Sequence, residues 1–95
     1  MADIEAARAA AERYLDERVR PGIDEPVVIA TGKTIVTAFE IVFFYNTAAY
    51  LESGSVVHAL AGNGPIIVER VDGRVRVADS SRPWEEQVRG SLPID

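Results

Sequence analysis

Apolar residues recur at helical spacing near the start of the chain. Ile4, Ala7, Ala11, Tyr14, Leu15 and Val19 fall on one stripe. Glu5, Arg8, Glu12 and Asp16 lie largely on the other side, with Glu5–Arg8 and Arg8–Glu12 at favourable offsets. Such pairs contribute about 0.2–0.5 kcal/mol each, so packing of the stripe must decide whether the helix forms. Asp3 is placed to cap it, about Arg18 is its end, and Pro21-Gly22 stops it.

The pattern then changes to short apolar runs. Val27 to Ala30 reads as a first strand after Pro26, and Gly32-Lys33 as a turn or bulge. Thr34 to Thr37 either extends that strand or begins the next. Glu40 to Asn46 is the strongest strand signal in the chain. It is apolar on both alternating faces, as expected of a central strand covered on each side. Thr47 to Glu52 is ambiguous, with Ala48 to Leu51 able to form a short helical turn. Val56 to Leu60 reads as a short strand, and Gly62-Asn63-Gly64-Pro65 as a turn with two positions free to take positive φ.

Ile66–Val71 and Arg74–Ala78 flank Asp72-Gly73, which reads as a two-residue hairpin turn of type I′. That turn would set Val68 opposite Val77 and Glu69 opposite Arg76. Ile66, Val68, Val75 and Val77 would then share the core face, with Glu69 and Arg76 outside. Ser80 to Arg89 reads as a second, short helix, with Pro83 in its first turn and Trp84 and Val88 docking on the sheet. The order is helix, about five strands, helix. Short connections imply a mostly antiparallel sheet with the N-terminal helix on one face, an α+β domain.

Composition narrows the chemistry. The 95 residues allow one domain, 1–95, and 47% hydrophobic with 26% charged is an ordinary globular balance. There is no cysteine, which excludes disulfides, thiolate metal sites and a catalytic thiol. The acidic start and the lack of a long apolar run point to a cytoplasmic protein with no membrane partner. The net charge of −5 repels phosphate backbones, so nucleic acid is a poor partner and a basic protein a better one.

Candidate catalytic groups are few. His58 is the single histidine, and a general base needs a nucleophile or orienting partner that no motif here supplies. It is expected to lack a paired carboxylate. One His and dispersed carboxylates do not make a metal site, and no cofactor motif is present. Gly62-Asn63-Gly64-Pro65 lacks the Lys-Ser/Thr ending of a phosphate loop, and Pro65 removes an N–H that such loops use. Ser53, Ser55, Ser80 and Ser81 sit in turn contexts, none in a nucleophile elbow. A binding role without catalysis is the expectation.

In their order along the chain, several segments resemble the YrhB-like domain, also called the immunity protein 35 family. They are Ala11 with Tyr14-Leu15; Val42 to Asn46 followed by Tyr50-Leu51; Gly62 to Val68; the Asp72-Gly73 hairpin; and Ser81 to Glu86. The resemblance implies an immunity protein that binds and neutralises the toxin of a bacterial polymorphic toxin system. A chaperone-like or regulatory binding module is its alternative.

One helix cannot cover two faces of the central strand. The second face must be closed by 47–55, by the C-terminal segment with Trp84, or by another chain. A patch left open there would be rimmed by Glu40, Tyr45, Tyr50 and Glu52, and by Asn63 if the loops converge. Aromatic anchors with an acidic rim suit a basic toxin surface, met as a monomer or a homodimer.

Overall fold

A computed structural model describes residues 3–60 and 64–88. Helix α1 spans Ile4–Tyr14, capped by the Asp3 side chain, which accepts from the Ala6 N–H at 2.8 Å. A π-helical turn, Leu15–Val19, and a short 3-10 turn, Arg20–Gly22, continue it to the proline. Among the described residues the strands are β1 (Val27–Ile29), β2 (Ile35–Val36), β3 (Glu40–Phe43), β4 (Tyr45–Thr47), β5 (Ile66–Glu69) and β6 (Val75–Val77). Helix α2 spans Ala48–Ser53, and 3-10 turns occupy Thr31–Lys33, Val56–His58 and Trp84–Gln87.

All strand pairs are antiparallel, in two sheets: β1-β4, and β2-β3-β5-β6. The expected long central strand is thus two strands. The pairing of β3 with β5 ends at Phe43, which faces Ile66. At Phe44 the chain passes to the smaller sheet, its carbonyl accepting from the Ala30 N–H at 2.8 Å beside the Ile29–Tyr45 pair. The Pro65 carbonyl faces the other way and accepts from the Ala78 N–H at 2.9 Å.

Helix α1 covers one face. Ala7, Ala10, Ala11 and Leu15 pack with Ile41, Phe43, Ile66 and Val68, and with Val27, Ile29 and Tyr45 of the smaller sheet. Alanines on the helix let its backbone lie close to the strands. Leu15 and Phe43 are fully buried, each contributing about 1.5–3 kcal/mol. Ile4, expected on this stripe, is 41% exposed and Ala10 is buried in its stead, because the stripe turns away from the sheet at its first residue. Glu12 pairs with Arg20 at 2.8 Å rather than with Arg8. The same guanidinium bonds Asp16 and the Val27 carbonyl, tying the end of the helix to β1.

The second face is closed by the C-terminal segment. Val42, Ile67 and Ala78 pack with Ile35, Phe44, Trp84 and Val88. Trp84 meets Phe44 edge-on at 5.4 Å. The expected second helix is a single 3-10 turn, and Arg76 fastens it by donating to the Gln87 carbonyl at 2.7 Å.

The Asp72-Gly73 hairpin differs from expectation. Val68 lies opposite Val75 and Ile66 opposite Val77, two residues away from the register of a two-residue loop. The Glu69 N–H donates to the Arg74 carbonyl, leaving Arg70 to Gly73 as the loop. A type I′ turn needs positive φ at both central residues. Among the described residues only Gly54 and Gly73 have it, and Asp72 instead caps the loop by accepting from the Arg74 N–H. A shift of two keeps every side chain on its face, so Ile66, Val68 and Val75 still point to the core under α1. Val77, expected with them, is 36% exposed, and Arg76 stands opposite Ile67 rather than Glu69. The tight two-residue loop lies at Ala38-Phe39, between β2 and β3, where Thr37 Oγ1 accepts from the Glu40 N–H at 3.0 Å.

Val56 to Leu60 is the other departure. Val56–His58 forms a 3-10 turn and none of the stretch is a strand, with Val56 and Val57 81% and 83% exposed. Gly64 also has a role other than positive φ. A Cβ there would sit 2.0 Å from the Ala78 carbonyl oxygen, so the position demands the absence of a side chain.

Candidate functional site

The break after Phe43 builds a shallow cleft of about 200 Å³ between the two sheets and α2. Ala30 and Lys33 form one wall, Phe44, Tyr45 and Asn46 the floor, Tyr50 and Leu51 the helical wall, and Gly64-Pro65 the far side. That volume is below the roughly 300–1,000 Å³ of small-molecule pockets, and the cleft is open. It suits one inserted side chain of a partner better than a metabolite.

Thr47 organises the neighbouring surface. Its hydroxyl accepts from the Tyr50 N–H at 3.1 Å, capping α2, and donates to the His58 carbonyl at 2.6 Å, anchoring the turn that follows. Gly54 ends α2 at φ +72°. Asn46 Oδ1 accepts from the Leu60 N–H at 2.9 Å, and His58 Nδ1 lies 2.9 Å from Glu25 Oε1. The expectation that His58 would lack a paired carboxylate is therefore overturned. Sequence could not pair them, since they are 33 residues apart. Both side chains are about two-fifths exposed, and among the described residues the ring's hydrogen bond goes to Glu25 alone. The pair fixes a loop.

Of the five expected rim residues, the four that are described do not all gather. Tyr45 and Tyr50 do meet in the cleft, with Tyr45 only 8% exposed and largely part of the core. Glu52 lies exposed on α2. Asn63 lies outside the described residues. Glu40 is no rim at all, because its carboxylate is fully buried on the sheet face under the C-terminal segment. There it stands opposite Glu69, and Arg76 bridges both, at 3.0 Å to Glu40 and 3.4 Å to Glu69. Central placement of Glu40, together with an Arg three positions past the hairpin loop, was the available signal for this buried network.

Lys33, Asn46, Val56 and Val57 were missed. Lys33 is the chain's single lysine and puts a positive charge on the cleft wall, which no carboxylate of the described residues lines. The carboxylates lie outside the cleft lining, Glu52 on α2 and Glu25 beside His58, with Asp24 next to it in the chain.

Among the described residues no helix is long and apolar enough to cross a membrane. No solved structure matches the chain. A protein of Escherichia coli (strain K12), named Uncharacterized protein YrhB, is 30% identical over 83 residues, covering 87% of this chain and 81% of that one. The model of the family Immunity protein 35 matches residues 5–90, from the first turn of α1 past Trp84 and Val88. The segments that build the cleft and close both sheet faces thus lie within the match, and the chain belongs to the immunity protein 35 family.

Proposed function

We propose that this chain is an immunity protein of a bacterial polymorphic toxin system, which binds its cognate toxin in the cytoplasm and neutralises it by occupancy, without catalysis. The observation that carries this reading is the family match over residues 5–90. The net charge of −5 supports a toxin with a basic surface, drawn in by long-range attraction. Tyr50 at the cleft and exposed Glu52 beside it are the proposed contact residues, with Tyr45 as the cleft floor. A chaperone-like module is the second reading, favoured by the unshielded Val56 and Val57, since such a surface also holds unfolded chains.

Co-expression with the toxin encoded beside its gene tests the first reading. The chain should protect cells from that toxin and co-purify with it at a fixed ratio. Growth arrest despite abundant chain would refute it.

A further inference from the structure

Val56 and Val57 are the most exposed large hydrophobics of the described residues, at 81% and 83%. Local folding gives them no reason to be valine. A 3-10 turn does not favour β-branched residues, and neither side chain joins a core cluster. The turn is nonetheless held rigidly. The His58 carbonyl accepts from Thr47, the His58 ring meets Glu25, and the His58 N–H donates to the Ser55 carbonyl at 3.1 Å. A fixed apolar pair loses little entropy on binding.

Carboxylates stand beside it: Glu52 precedes the turn on α2, Glu25 touches it through His58, and Asp24 adjoins Glu25. The arginine fastened to β1, Arg20, is already paired with Glu12 and Asp16.

We infer that the Val56-Val57 turn, framed by Asp24, Glu25 and Glu52, is the docking contact for an apolar patch ringed by Lys and Arg on the toxin. This rests on the immunity reading and places the centre of the interface on the outer side of α2, beyond the cleft. The valines would supply the water-excluding centre and the carboxylates the polar rim.

The test is titration calorimetry with the purified toxin domain encoded beside the chain's gene. V56D/V57D is compared with the parent and with V71D. Val71 is 73% exposed on the hairpin loop, beyond the Glu40–Glu69 end of the sheet. All three should unfold at the same temperature, because none of these side chains is buried. V56D/V57D should bind about 100-fold more weakly or worse, and V71D as the parent does. Parent-like binding by V56D/V57D overturns the surface and leaves the immunity reading standing. Equal weakening by V71D also overturns the surface, since charge alone would then explain the loss. If the parent itself does not bind, the immunity reading falls and the inference with it. Suppression of aggregation of heat-denatured citrate synthase, lost in V56D/V57D, would in that case assign the turn to unfolded chains.

Discussion

Single residues set both the shape of this protein and its weak points. Gly64 lies where a methyl group would meet the Ala78 carbonyl oxygen at 2.0 Å and its carbon at 2.9 Å. Backbone cannot give way as a side-chain tip can, so Gly64→Ala should destabilise by about 2–4 kcal/mol in urea unfolding. Unchanged stability would mean that the approach is looser. Arg76 is the cation shared by Glu40 and Glu69. Removing it leaves the fully buried Glu40 charge without that partner, and Arg76→Ala should cost about 3 kcal/mol, the lower end because the arginine is itself partly exposed. Replacing Glu40 by Met in the same chain should recover most of that loss, since the cost lies in the stranded charge. At the proposed interface, Tyr50→Ala should weaken toxin binding by about 2 kcal/mol or more if the ring is an anchor. Glu52→Lys should mainly slow association and alter its salt dependence, seen in stopped-flow mixing at two ionic strengths.

At the scale of elements, the C-terminal segment is the least conventional part. It has one short 3-10 turn and is held by side chains: Trp84 on Phe44, Arg76 on the Gln87 carbonyl, and Gln87 on the Asp79 backbone. Asp79 accepts from the Ser81 N–H at 2.9 Å and the Ser81 hydroxyl at 2.7 Å. The backbone bond, then the hydroxyl bond, hold its carboxyl below the usual range, with Arg82 assisting and desolvation opposing. A lowered folded pKa means that the contribution is present above the unfolded value of about 3.9 and is lost as pH falls through the folded value. Trp84 is the chain's single tryptophan, so its emission reports on this segment. Emission should hold steady down to about pH 4 and shift to the red below it. Asp79→Ala, which removes the acceptor of both bonds, should shift it at neutral pH and flatten the acid response. An unshifted spectrum in that variant would show that Asp79 does not hold the segment.

What the sequence pattern revealed follows from the same forces. Helix α1, the apolar central strand and the core residues of β5 were legible because burial repeats with a helical or strand period, whereas Val77 of β6, expected in the core, is 36% exposed and Glu69, expected outside, is 13% exposed. Closure of the second face by Trp84 was among the options, since one helix cannot cover two faces. The hairpin register was not legible, because Asp-Gly serves a two-residue loop and a longer one ending in a left-handed glycine equally well. Val56 to Leu60 looked like a strand from β-branched residues alone, and composition cannot tell a paired strand from an apolar pair left in water. Of the candidate site, the meeting of Tyr45 with Tyr50 was legible from their nearness in the chain. Glu40 was misplaced because strand alternation does not show which face a distant segment will cover.

Taken whole, the described residues form an acidic frame that spends its core on two sheet faces and leaves its most exposed apolar pair in the turn after α2. The central claim is neutralisation by occupancy, and a titration of toxin activity tests it most directly. The chain is added in steps to a fixed amount of the toxin domain encoded beside its gene, and residual activity is followed over time. Activity should fall linearly to zero at a whole-number molar ratio, with an endpoint that does not move on longer incubation. Inhibition that deepens with time at substoichiometric chain would mean catalysis, and activity that never falls would mean that this toxin is not its partner; either result contradicts the account.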